Sequence, residues 1–348
     1  MVNQELSWIG LDLGDYKIDL RLGGGIFSTV YRGVHIKSAQ AKAFKVAKPQ
    51  DLVRNPPRED CLSTRAIALT TGSTMVVLPD AAKLLARQHA MLSTTSHADW
   101  IKVDSLVEQP ALTYYEMDFV DGETLRQAMT RKPISLEKTI EIARCLAAGS
   151  ILPGSAGGSP ASNSLAHAPR AYHGDIKPEN ILITKSGITM IDPGHFGRLD
   201  LANGSDLPNC AVTTVAYYPT LEPDDLLAFG LMLFEMVLGF LPTAKAGDSQ
   251  ESDLSRIGPN LLEMVRLQEM VGKYFSSGIL DVPLPSSVHP EISADVEKLL
   301  LKCIRLNVDP SGKLELDSGF GSFGAIADAL AALPLPGTGE FLLKHMPG

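Results

Sequence analysis

The run His173-Gly174-Asp175-Ile176-Lys177-Pro178-Glu179-Asn180-Ile181-Leu182-Ile183 constrains this chain more than any other stretch. A carboxylate, an ammonium and a carboxamide stand at short fixed offsets, and an apolar triplet follows directly. Asp, Gly, Pro and Asn are turn residues, so on its own the run reads as a polar turn entering a strand. The same groups also bring a base, a cation and a neutral oxygen ligand to one point of the backbone. Companion motifs elsewhere decide between the two readings.

The 348 residues suit one large domain or two lobes and are enough to bury a sizeable core. A net charge of −9, from 31 basic and 40 acidic residues, argues against a nucleic-acid backbone binder. Cys61, Cys145, Cys210 and Cys303 are scattered without paired metal spacing, which fits free thiols in a reducing, cytoplasmic setting. The N-terminus lacks a signal-peptide pattern, and Val2 stands where myristoylation needs glycine. The most apolar run, Leu226 to Leu241, is interrupted by Glu235 and is short for a membrane span, so a buried core helix and no membrane association are expected.

Period-2 alternation marks Tyr16 to Leu22 as a half-buried strand, followed by Gly23-Gly24-Gly25 and a second strand from Ile26 to Gly33. Glycines at such a turn let the backbone approach phosphates, though a plain hairpin uses them equally well. Ala41 to Val46 alternates again and sets Lys45 on the same face as Ala43, opposite Phe44 and Val46. Pro49, Pro56 and Pro57 mark a loop, and Ala66 to Leu78 has the pattern of an added hairpin around Thr71-Gly72-Ser73. Pro79-Asp80 starts a helix with Leu84, Leu85, Gln88, Met91 and Leu92 on one face. Strands are expected at Trp100 to Val107 and Leu112 to Met117, and a helix with an N-cap signal from Ser135. Residues 149–170 are rich in Gly, Ser, Ala and Pro and cannot build a packed core. Turn residues Thr184 to Gly187 between two isoleucine-rich runs make a hairpin. Phe323 to Leu333 reads as the last helix.

Taken in order, these motifs resemble the protein kinase superfamily of Ser/Thr type, over roughly residues 15 to 335. They are Gly23-x-Gly25-x-x-Ser28, Ala43-x-Lys45, Met117 to Gly122, His173-x-Asp175-x-Lys177-x-x-Asn180, Asp192-x-Gly194, Asp225-x-x-x-x-Gly230 and Asp309-Pro310-x-x-Lys313. The resemblance implies an α+β, bilobal kinase-like fold. A small, mostly antiparallel sheet lobe would span 1–118, with an insertion at about 48–80. A larger helical lobe would span 119–335, with an insertion at about 149–170, and a tail would follow at 336–348.

It further implies a cleft for ATP and Mg²⁺ and a protein substrate. Gly23 and Gly25 would contact phosphates and Lys45 would hold them. Val30, Ala43 and Leu182 would enclose adenine, Met117 would stand beside it, and the backbones of Asp118 and Val120 would meet its edge. Asp175 would accept the hydroxyl proton, Lys177 would offset charge on the γ-phosphate, Thr214 would brace both, and Asn180 and Asp192 would hold metal. A catalytically weak, nucleotide-binding scaffold and a small-molecule kinase of aminoglycoside or choline type are the alternatives. Lys177, Thr214 and the Asp-Pro-x-x-Lys signature speak against the latter.

The chain departs from the family pattern in ways that bear on control. Gly174 replaces an Arg, Pro193 replaces a Phe, and the Ala-Pro-Glu motif is broken, with Glu222 the nearest acid, facing Lys313 as a candidate partner. Gln88 stands where the family's helix C carries Glu, leaving Gln88 or an insertion acid such as Glu59 or Asp60 to meet Lys45. Without the Arg, a phosphate in the activation segment has lost its usual anchor unless another base such as Arg198 supplies one. Control is then expected from a partner at helix C or at the insertions.

Overall fold

A computed structural model of the chain describes residues 8–54, 66–67, 79–95, 98–131, 134–149, 173–200, 204, 206–214, 217–218, 224–239, 241, 282 and 284–333. The N-terminal part is a six-stranded antiparallel sheet of β1 (Asp12–Leu13), β2 (Tyr16–Gly24), β3 (Ser28–His35), β4 (Ala41–Ala47), β6 (Val103–Gln109) and β7 (Leu112–Asp118), in the order β1-β2-β3-β4-β7-β6. The alternation in β4 works as its sequence implies. Phe44 and Val46 pack with Leu13, Ile18, Tyr31 and Tyr114 on one face, while Ala43 joins Leu85, Tyr115 and Met117 on the other. Both faces of the central strand are therefore covered, and Lys45 is 3% exposed.

A short helix, α1 (Gln50–Arg54), and a two-residue strand, β5 (Ala66–Ile67), precede helix α2 (Ala81–Ser93). Asp80 caps α2 by accepting from the Lys83 N–H at 3.1 Å. Ala81, Leu84, Leu85 and Leu92 are buried against the sheet. One strand begins later than its sequence suggests. Trp100 is not in β6. It bridges to Met190 and packs on His173, and Val103 opens the strand. Its buried indole ties the sheet to the C-terminal part instead.

That second part is mostly helical. It comprises β8 (Glu123–Thr124), α3 (Leu125–Arg131), α4 (Leu136–Gly149), the hairpin β9 (Ile181–Ile183) and β10 (Ile188–Met190), the hairpin β11 (His195–Asp200) and β12 (Asp206–Thr213), α5 (Asp225–Leu238), α6 (Pro285–Val288), α7 (Ala294–Cys303), the hairpin β13 (Leu306–Val308) and β14 (Leu314–Leu316), and α8 (Phe323–Ala331). Helix α5 takes up the apolar run from Leu226 as far as Leu238, and almost every residue in it is buried. A helix apolar all round belongs in a core, and α5 is wrapped by its neighbours. Gly230 permits this, because a Cβ there would lie 2.2 Å from the Cys303 carbonyl oxygen of α7. Among the described residues no helix is long and apolar enough to cross a membrane.

Of the expected hairpin over Ala66 to Leu78, only Ala66 and Ile67 are among the described residues. Ala66 and Ile67 pair with Thr213 and Val212 of β12, giving the sheet β11-β12-β5. The partner half of that hairpin at 68–78, Glu59 and Asp60, Glu222, the segment 150–172 and the tail from 334 lie outside the described residues. So does the side chain of Arg198. The Lys313–Glu222 pairing falls there too. Within view, Arg305 forms an ion pair with Asp224, the N-cap residue of α5.

Candidate functional site

The three glycines make a strand end and a tight turn. Gly23 and Gly24 pair with Val30 and Thr29, and the Gly25 N–H donates to the Ser28 carbonyl at 2.9 Å. The turn's tip is not open. Phe27 is 7% exposed and lines the cleft below the turn together with Lys45, Gln88, Asp175, Asp192 and Pro193. Phe27 was not singled out in the sequence, although a lone aromatic at the tip of a glycine turn was the available signal.

Lys45 is held by two acceptors. Its ammonium forms an ion pair with the Asp192 carboxylate and donates to Gln88 Oε1 at 2.8 Å. Gln88 therefore takes the position beside the lysine, the first of the two alternatives that the resemblance left open. Its other end does what a carboxylate cannot: Nε2 donates to the Pro193 carbonyl at 2.6 Å and to Asp192 Oδ1 at 3.2 Å. One carboxamide thus bridges the lysine and the backbone after Asp192. Asp192 sits at φ +53°, a strained left-handed conformation for a non-glycine residue, and these contacts hold it there.

On the floor of the cleft, Asp175 accepts three donors. The Thr214 N–H reaches Oδ1 at 2.8 Å; Asn180 Nδ2 and the Lys177 ammonium reach Oδ2 at 2.9 and 2.8 Å. Lys177 is 1% exposed, and its ammonium also donates to Thr214 Oγ1 at 2.8 Å. Asn180 Nδ2 further donates to the carbonyls of Asp175 and Asp192 at 2.8 and 3.1 Å. Its NH₂ is spent on protein oxygens, which leaves Oδ1 as the acceptor.

The backbone carrying these groups is fixed from beneath. Asp225 accepts from the N–H groups of His173 and Gly174 at 2.7 and 3.0 Å and from the Tyr218 hydroxyl at 2.7 Å. Tyr218 in turn receives the Ile176 N–H. Gly174 is at φ +73°, so glycine suits this turn sterically whatever its effect on control. Burial pushes the Asp225 carboxyl up, despite the His173, Tyr218 and backbone contacts. Burial also pushes His173 below its ordinary 6.5, overcoming the pull of Asp225, Asp175 and Asp192.

A second cluster went unread in the sequence. Arg126 of α3 bonds Glu179 at 2.9 Å, Glu235 at 2.7 Å and the Tyr217 hydroxyl at 2.9 Å, and Tyr217 donates to Glu235 at 2.5 Å. It explains Glu235, the charge inside the apolar run of α5. Burial raises the Glu179 carboxyl, but Arg126 and Lys177 outweigh burial and hold it below its ordinary range.

The residues expected around the nucleotide base lie on the strands beside the cleft and are not part of its lining, which Phe27, Lys45, Gln88, Asp175 and Asp192 supply. Val30 packs on the central core, as do Ala43 and Met117, which are paired across β4 and β7. Asp118 ends β7, its N–H donating to the Lys102 carbonyl and its carboxylate receiving the Lys42 ammonium at 2.8 Å. Val120 follows in the connection to β8, and Leu182 lies in β9 opposite Thr189. Asn180 and Asp192 fit a divalent cation as a partial donor set. They offer one amide oxygen and one carboxylate, and a hard cation completes its shell with nucleotide phosphates and water. Among the described residues no group of three or more His, Cys, Asp and Glu forms a self-sufficient metal site.

Sheet, helices and cleft define a two-lobed kinase architecture. The model of the protein kinase domain matches residues 16–313, and the chain belongs to that family. Three curated relatives are similar to it. The probable serine/threonine-protein kinase PknB of Lactococcus lactis is 24% identical over 45% of this chain and 24% of its own length. PkaA of Streptomyces coelicolor is 25% identical over 65% and 39%. Pkn1 of Myxococcus xanthus is 22% identical over 85% and 36%. The chain thus spans less than half the length of each of these relatives. Among solved structures, the PknI kinase domain of Mycobacterium tuberculosis aligns at 17% identity and a TM-score of 0.48, over 94% of this chain and 98% of that one.

Proposed function

We propose that this chain transfers the γ-phosphoryl group of Mg·ATP to serine or threonine hydroxyls of a protein substrate. The observation that carries the reading is the Lys177 ammonium, buried and shared between Asp175 Oδ2 and Thr214 Oγ1. It ties the proposed base to the loop on the substrate side. A hydroxyl entering beside Asp175 meets a carboxylate oriented by three donors, which accepts the proton as transfer proceeds. Lys177 stands ready to offset charge on the transferred group. Lys45, already drawn toward the cleft by Gln88 and Asp192, takes the α- and β-phosphates. Asn180 and Asp192 would hold Mg²⁺, which neutralises phosphate charge when bound. Gly23, Gly25 and Phe27 roof the phosphates. Val30, Ala43, Met117 and Leu182 enclose adenine, with the Asp118 and Val120 backbone at its edge. In this reading the lobe boundary follows Asp118, and the scattered cysteines favour a cytoplasmic setting.

The test is incubation of purified protein with γ-labelled ATP and Mg²⁺, with and without a generic protein acceptor, followed by phosphoamino-acid analysis. Phosphoserine or phosphothreonine is expected. Mainly phosphotyrosine, or transfer to small molecules only, would refute the reading.

A further inference from the structure

One face of helix α2 is turned toward the segment that follows Asp192, and the Asp80, Lys83 and Arg87 contacts on it lie beyond the cleft lining. Residues 80, 83, 87 and 88 are spaced so that they lie on one side of the helix. Arg87 Nη2 donates to Asp200 Oδ2 at 2.6 Å, and the Lys83 ammonium lies 4.0 Å from Oδ1. The Asp80 N–H, at the helix start, donates to the Asp200 carbonyl at 2.9 Å. Arg87 Nη1 is 3.4 Å from His195 Nε2, at the opposite end of β11. The helix therefore grips both ends of the strand, and the neighbouring Gln88 grips Pro193. The returning strand β12 is paired on its free side with Ala66 and Ile67 of the insertion before reaching Thr214.

We propose that Asp200 is a positioning residue whose carboxylate, clasped by Arg87, orders the activation segment against α2 in place of a phosphate. The inference rests on the kinase reading above. The chemistry is that of a phosphate anchor with one charge fewer: an anion with two acceptor oxygens, one met by a guanidinium N–H at 2.6 Å and the other with an ammonium 4.0 Å away. Position 174, ahead of Asp175, is glycine and offers no cation, whereas the cation that meets Asp200 stands on α2. Segment and helix then hold each other, and Asp192, Gln88 and Lys45 are aligned in the unmodified chain. The half-exposed pair adds little to global stability. Its effect belongs in local order and turnover.

The experiment compares wild type, Asp200→Asn, Arg87→Met and the exchanged pair Asp200→Lys with Arg87→Glu, all treated with a broad phosphatase. Amide hydrogen exchange over residues 193–213 and kcat on a protein acceptor are both read. Both single variants are expected to exchange faster in that segment and to lose about tenfold in kcat, with the exchanged pair recovering most of both. Unchanged exchange in both single variants, or no recovery in the pair, overturns the proposal. So does a wild-type kcat abolished by phosphatase and restored by autophosphorylation. A wild type without phosphotransfer refutes the kinase reading, while the exchange data still decide the clasp.

Discussion

Replacing Gln88 by Glu, the residue common at this place in the family, should impair the enzyme. The carboxamide accepts from Lys45 at 2.8 Å and donates to Asp192 at 3.2 Å and to the Pro193 carbonyl at 2.6 Å. At an effective dielectric of about 20, a carboxylate here gains about 6 kcal/mol from Lys45 and loses about 5 kcal/mol to Asp192. The two nearly cancel because Lys45 and Asp192 already neutralise each other. What remains is the Pro193 carbonyl, stripped of its donor and facing a carboxylate, a loss of about 1–3 kcal/mol. Desolvating a new half-buried charge adds to that loss. If the competent arrangement is destabilised by this amount, kcat/KM for ATP falls about 5- to 150-fold. Gln88→Met, which removes both functions, is the control. Steady-state kinetics across ATP concentrations would measure the effect. A Gln88→Glu enzyme as fast as wild type or faster would refute the bridging role.

Two further outcomes follow from packing and burial. Gly230→Ala forces a Cβ to within 2.2 Å of the Cys303 carbonyl, so the midpoint of chemical unfolding should shift by an amount worth about 1–3 kcal/mol or more; an unchanged midpoint would show that α5 and α7 are not locked together. His173, held below 6.5 by burial, contributes stability fully above that value, and the contribution drains as pH falls below it, because the unfolded chain binds the proton first. Thermal melts between pH 7.5 and 5.5 should therefore fall more steeply for wild type than for His173→Phe, and parallel curves would contradict the assignment.

Much of the cleft was legible because its chemistry is local in sequence. Asp175, Lys177 and Asn180 sit within one turn and strand start, and Lys45 follows from the Ala43-x-Lys45 resemblance, with period 2 setting both on one face. Gln88 follows from the resemblance of its helix to the family's helix C, and the alternative acids Glu59 and Asp60 lie outside the described residues. The contacts that hold these groups are not local. Arg126 reaches Glu179 and Glu235 across 53 and 109 residues, and no short pattern announces such a cluster. The hairpin β11–β12 is not announced by the sequence, and β12 also pairs with Ala66 and Ile67, more than 140 residues earlier than Val212. The sequence pattern starts a strand at Trp100, whereas its bridge to Met190 and packing on His173 keep it out of β6. Gly174 was read as the loss of an anchor, yet its φ of +73° gives the turn an independent reason for glycine.

The most direct measurement pairs nucleotide titration with phosphotransfer in wild type, Asp175→Asn and Asp192→Asn. Asp175 touches Lys177, Asn180 and Thr214 on the proposed acceptor side, whereas Asp192 faces Lys45 and the proposed phosphate site. Asp175→Asn should bind Mg·ATP nearly as wild type does while transfer is lost, and Asp192→Asn should lose Mg·ATP affinity itself. Near-normal turnover by Asp175→Asn would contradict the division of labour on which the proposed reaction stands.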